Sequence, residues 1–145
     1  MVNFTLFNKF LSQLANGGYN LGSDTLRFAL TNTAPTAASD TVFDPSVKHP
    51  PPANANGYTA GGHAATIDSS AESGGTYTLA CTTDVVITAT AGGIGPFRYV
   101  ILYDDTSATD LLIGYWDYGS SISLNVGETF TIDVTASLLT IAVAA

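Results

Sequence analysis

The chain has 145 residues, with twelve acidic side chains against four basic ones (Lys9, Arg27, Lys48, Arg98) and a formal net charge of −8. Affinity for nucleic acid comes largely from Lys and Arg displacing counterions from phosphates, so this balance excludes DNA and RNA as partners and disfavours an anionic membrane surface. Only 11% of the residues are charged, against roughly 25% in an ordinary soluble domain; Cys81 stands alone, so no internal disulfide is possible, and the length suits one domain over residues 1–145.

The first residues, Met1-Val2-Asn3-Phe4, carry no basic region, and Asn8, Lys9, Ser12 and Gln13 interrupt every apolar run. Neither a secretory signal nor a membrane span is expected, and the protein is expected to be made and assembled in a cytoplasm. Over residues 3–16 the apolar side chains Phe4, Phe7, Leu11 and Leu14 fall on one helical face with Phe10 beside them, and Gly17-Gly18 can supply the left-handed stop. The spacing predicts an amphipathic helix, which makes residues 1–18 an N-terminal helical arm. A helix this short is marginal alone in water, so its stripe of Phe4, Phe7, Phe10 and Leu11 must dock on its own sheet or on a neighbouring subunit.

Thr25 to Thr31 alternates, with Leu26, Phe28 and Leu30 on one face and Arg27, Ala29 and Thr31 on the other, which predicts a half-exposed strand. From residue 36 to 62 the character changes. Pro45, Pro50, Pro51 and Pro52 stiffen the chain, few apolar residues recur, and the proline triplet favours an extended conformation. A loop this long is usually functional or disordered, and it is expected to be an excursion reaching away from the body, returned by a turn at Asn54-Ala55-Asn56-Gly57.

Ala64 to Asp68, Thr76 to Thr82 and Val85 to Thr90 read as further short strands, with a polar tip at 69–75 between the first two. A meander of four runs then forms the centre: 95–103, 111–116, 122–126 and 129–134, each β-branched or aromatic and bounded by Gly, Asp, Asn or Ser. Leu138 to Val143 makes a last strand that should be paired or covered, because a bare apolar edge invites aggregation. The expected fold is all-β: an antiparallel sandwich, jelly roll or closed barrel of about eight or nine strands, with one short N-terminal helix and a long Pro-rich loop.

The residues that can carry chemistry are few. His49 and His63 are the only neutral-pH proton carriers, and no Gly-x-Ser-x-Gly elbow accompanies them; no catalytic residue is expected. Asp104, Asp105, Asp110 and Asp117 could gather around Ca²⁺ but lack the Gly and terminal Glu of a helix-loop site, and read as solvated turn formers. Cys81 and two histidines are one ligand short of structural zinc, so neither metal nor cofactor is expected. Tyr115, Trp116 and Tyr118 around Asp117 could stack on a sugar, although strand alternation commits at least one ring to the core. Arg98, between Phe97 and Tyr99, reads as an ion pair with a nearby Asp, or as a cation–π or inter-subunit contact.

Four segments taken together carry a resemblance: Leu30-Thr31-Asn32-Thr33-Ala34-Pro35, Asn56-Gly57-Tyr58-Thr59-Ala60-Gly61-Gly62, Gly95-Pro96-Phe97-Arg98-Tyr99 with Leu102-Tyr103, and Leu112-Ile113-Gly114-Tyr115-Trp116-Asp117-Tyr118-Gly119. In that order, across residues 24–134, the chain resembles small jelly-roll head decoration, or cement, proteins of tailed bacteriophages. The resemblance implies a non-enzymatic virion protein on the outer surface of the capsid that self-associates as a dimer or trimer and clamps neighbouring major capsid proteins. The resemblance carries over no single site residue; the helix stripe of Phe4, Phe7, Phe10 and Leu11, the proline triplet Pro50, Pro51 and Pro52, and Arg98 are the candidate protein–protein contacts from the residues themselves. The rival expectations are another virion part (neck, tail or fibre base) and a carbohydrate-binding module for a host surface.

Overall fold

The structure is a computed structural model that describes residues 4–52, 56–134 and 137–144. It is 43% strand and 4% helix, and every pairing is antiparallel. The elements run β1 (Phe4–Leu6), α1 (Phe10–Ala15), β2 (Leu26–Thr31), β3 (His63–Ala64), β4 (Ser69–Ser73), β5 (Thr76–Ala80), β6 (Val85–Thr88), β7 (Ile94–Asp104), β8 (Leu111–Leu124), β9 (Thr129–Ile132) and β10 (Leu139–Ala142). They build a five-stranded sheet in the order β1-β8-β7-β2-β3, a three-stranded sheet β10-β5-β4 and a two-stranded sheet β6-β9.

The long hairpin of β7 and β8 is the spine. Its inward side chains, among them Val100, Leu102 and Ile113, meet Leu26, Phe28 and Leu30 of β2 in one core, and Leu79, Ile87, Ile132 and Leu139 close that core from the smaller sheets. The opposite face of the same strands is also covered, because Ala29, Ile101, Tyr103 and Leu112 pack with Phe7 and Phe43 in a second cluster. Burial on both faces explains why β7 reads as a nearly continuous apolar run.

The expected meander is therefore corrected. Residues 111–116 and 122–126, read as two strands, lie largely in the single strand β8, and β9 leaves the hairpin to pair with β6. The ladder tolerates this because β8 slips register beside Phe97 and Tyr99, with Ile122 opposite Phe97 but Asp117 opposite Tyr99, so residues 118–121 bulge out. A second slip, between Leu102↔Gly114 and Tyr103↔Leu112, leaves Ile113 without a ladder partner. It places Leu112 and Tyr115 against one cluster and Ile113 and Trp116 against the other, so simple alternation breaks across 112–116.

The helix is also shorter than its pattern. Only Phe10–Ala15 is helical, because Phe4–Leu6 pairs with Gly114–Trp116 as the edge strand β1. Gly114 makes this possible: a Cβ there would collide with the Phe4 ring, which instead tilts over Trp116 at 4.4 Å between centroids. Phe7 and Phe10 are then buried in the chain's own two clusters, so the N-terminal segment is part of the body and not an outreaching helical arm.

The same holds for the described part of 36–62. Thr41 and Phe43 join the start of β8 through Leu112 N–H to Thr41 O (3.1 Å) and Phe43 N–H to Asp110 O (2.7 Å). The Asp44 carboxylate accepts the Ser46 and Val47 N–H groups, and its carbonyl accepts His49 N–H at 2.7 Å. Phe43 lies flat on Tyr103 (4.3 Å, 15°). This segment is a lid folded onto the spine, and it is what turns the expected half-exposed β2 into a strand buried on both faces. The tip of the expected excursion at Asn54 and Ala55 lies outside the described residues.

Two smaller expectations also shift. The strand over 64–68 shrinks to His63–Ala64, and the polar tip 69–75 instead holds the exposed strand β4, which pairs along one side with β5. The last strand is paired, as an apolar terminus requires, through β10 on β5.

Candidate interaction surface

Both histidines are built into the lid and its rim. His49 is fully buried, stacked on Phe43 (5.7 Å, 8°), and its Nδ1 accepts the Asp44 N–H at 3.1 Å. An accepting Nδ1 puts the proton of the neutral ring on Nε2, which faces Asp40 Oδ2 at 3.5 Å without a hydrogen-bond partner. Burial holds its pKa below the ordinary value against the opposing pull of Asp40. Asp40 is fixed by the Thr36 N–H (2.7 Å) and Lys48 (2.9 Å). His63 sits by the Tyr58 ring, and burial together with Arg27 lowers its pKa as well.

The four aspartates do not converge. Asp104 is buried, its carboxylate accepting Thr106 and Ser107 N–H, and burial followed by the nearby Asp24 pushes its pKa up. Asp105 pairs with Arg27 at 2.7 Å, while Asp117, further along β8, is held by Arg98 through Nε (2.7 Å) and Nη2 (2.8 Å). Among the described residues no group of three or more His, Cys, Asp or Glu is placed to hold a metal ion. Cys81 is buried, and burial followed by Asp68 raises its thiol to about 11.

The candidate contacts separate by burial. Phe7 and Phe10 are inside, and Phe4 is half-buried against Trp116. Leu11 is exposed, Pro50 and Pro51 are half-buried and Pro52 is buried. Arg98 commits its fork to Asp117 and lies 5.2 Å from the Tyr99 ring, the in-chain ion pair that its setting suggested. Of the three aromatic residues around Asp117, Tyr115 turns to Phe7 (5.3 Å) and Trp116 to Phe4, and Tyr118 alone is about half exposed, at 51%.

One surface was only half legible in the sequence, which singled out Trp116 and Tyr118 but not the residues that face them. Between β8 and β9 runs a groove of about 310 Å³, with Val100, Trp116 and Tyr118 on one wall and residues 130–133 on the other. Tyr118 meets Phe130 edge-on at 5.8 Å across it. No local pattern joins the two walls, because they come from strands paired in different sheets. Electrostatics frame it: three of the four bases are committed to the pairs Arg27–Asp105, Lys48–Asp40 and Arg98–Asp117, in a chain of formal net charge −8. Compared with known proteins, the chain matches no family, no curated protein and no solved structure.

Proposed function

We propose that the protein is a non-enzymatic virion structural protein, a decoration or cement protein of the jelly-roll kind. It binds the outside of a phage head in several copies, as a dimer or trimer, and stabilises contacts between major capsid proteins. The observation that carries the reading is the aromatic groove beside β9, set in a sparsely charged and acidic surface. Such a surface avoids a packaged genome and favours a protein partner of opposite charge. The resemblance of the spine and its flanking segments to decoration proteins supplies the location.

Many copies of a small domain add large total stability even where each contact is modest. The segments first expected to be arms now serve the body, so the contact surface shifts to sheet edges and exposed side chains such as Leu11 and Tyr118. The test is an image of the intact particle with this protein labelled, together with heat challenge of particles lacking it. Label on the shell and earlier rupture of the deficient particles are expected; label on the neck or tail, or unchanged rupture, overturns the reading.

A further inference from the structure

The groove beside β9 has a feature that an aromatic pocket does not need. Four consecutive residues, 130–133, line it. Successive side chains of a strand point to opposite faces, so a groove touched by four in a row runs along the strand's edge. That edge has no partner among the described residues, since β9 pairs with β6 alone.

The ladder identifies the groups that point into the groove. Ala89 N–H bonds Glu128 O at 2.9 Å, so the 89–128 pair is of the hydrogen-bonded kind. Antiparallel pairs alternate between bonded and non-bonded, which makes Ile87↔Phe130 and Val85↔Ile132 bonded pairs and Thr88↔Thr129 and Val86↔Thr131 non-bonded ones. The N–H and C=O of Thr129 and Thr131 therefore face away from β6 and toward the groove. Protected edges usually carry Pro, Lys or a covering segment, and Thr129-Phe130-Thr131-Ile132 has none of these residues.

We infer that the edge of β9 is a receiving site for an extended strand of a basic partner protein, which adds as a third strand to the β6-β9 sheet and buries an apolar side chain between Trp116, Tyr118 and Phe130. Main-chain bonds to Thr129 and Thr131 give the affinity, and the aromatic walls give the preference at alternate positions. Charge decides the occupant. Glu128 adjoins the strand, and a chain of net charge −8 repels a second copy of itself at that edge, whereas a lysine-bearing strand is attracted. The inference rests on the shell reading only for which protein supplies the strand.

The probe is a synthetic ten-residue peptide of alternating valine and lysine with one central phenylalanine, compared with the same peptide carrying glutamate for lysine, titrated into the full chain and followed by amide NMR and hydrogen exchange. The lysine peptide should bind saturably, slow exchange at the Thr129 and Thr131 amides by at least about tenfold, and outbind the glutamate peptide by a similar factor. Thr131→Pro removes one donor that β6 does not use and should abolish binding. Tyr118→Ala, at a half-exposed side chain, should weaken binding several-fold with the fold intact, so the test stands even if the proline variant unfolds. Unprotected Thr129 and Thr131 amides, equal binding of the two peptides, full binding by the Tyr118 variant, or a groove that takes a neutral oligosaccharide and not the peptide would each overturn the inference. Particle imaging is a separate measurement, so a failure of the strand site and a failure of the shell reading are told apart.

Discussion

Phe43→Ala decides whether residues 36–49 are a lid belonging to the core or a segment that merely lies on it. Phe43 is 6% exposed and lies between the Tyr103 and His49 rings. Truncating a buried phenylalanine costs about 3–5 kcal/mol, set by how far the surroundings collapse. The lid is irregular chain at the rim of the smaller cluster and can relax, so the lower end, about 3 kcal/mol, applies. The assay is urea unfolding of the parent and the variant, with limited proteolysis between Ala34 and Asn56 alongside. A fall of about 3 kcal/mol with an unchanged slope, and faster cleavage in this segment, is the expected result. A loss below about 0.5 kcal/mol, the range of an ordinary surface substitution, would refute the argument that this segment completes the second face of the spine.

Gly114→Ala should expel the Phe4 ring from its seat on β8 and destabilise the fold by about 1–3 kcal/mol, with Trp116 fluorescence reporting the lost stacking; an unchanged unfolding midpoint would contradict it. His49 has a folded pKa below its unfolded one, so the unfolded chain takes up a proton that the folded chain resists. Stability should therefore fall as the pH drops below about 6.5. His49→Gln should flatten that fall in thermal melts taken from pH 7.5 to pH 5. Asp104 has the opposite sign, because its raised pKa means that the folded chain binds the proton more tightly. Its ionisation weakens the fold as the pH rises from about 4 through the raised folded value. Asp104→Asn, which keeps the acceptor for Thr106 and Ser107, should be more stable than the parent at pH 7, with the gap closing toward pH 4.

The fold class was written in short β-branched runs punctuated by Gly and Asp, and β2, β5, β6 and β10 lie within the runs that predicted them, with the paired β10 as the apolar terminus required. What misled was periodicity at both ends of its range. Phe4, Phe7 and Leu11 are spaced for a helix, yet the glycine that seats Phe4 is more than a hundred residues away in sequence. Likewise, proline-rich polar chain reads as an excursion until Tyr103 presents a flat ring for Phe43. The candidate groove had half a signal: Trp116 and Tyr118 stand out together in the sequence, but Phe130 is an ordinary strand residue until the β8 bulge and the departure of β9 to β6 bring the two walls together.

The sequence alone determined what the chain is made of: four bases against twelve acids, no cysteine partner for Cys81, and enough alternating apolar runs for antiparallel sheets. Those are local or additive properties, and each can be counted without knowing which residues meet. The tertiary structure decided which faces are covered, which edges stay open and which acids are neutralised. Pairing partners such as Phe4 with Trp116, Arg98 with Asp117 and β9 with β6 are chosen by long-range packing, and the free energy of burying both faces of one hairpin overrides the preference of any short segment for helix or loop.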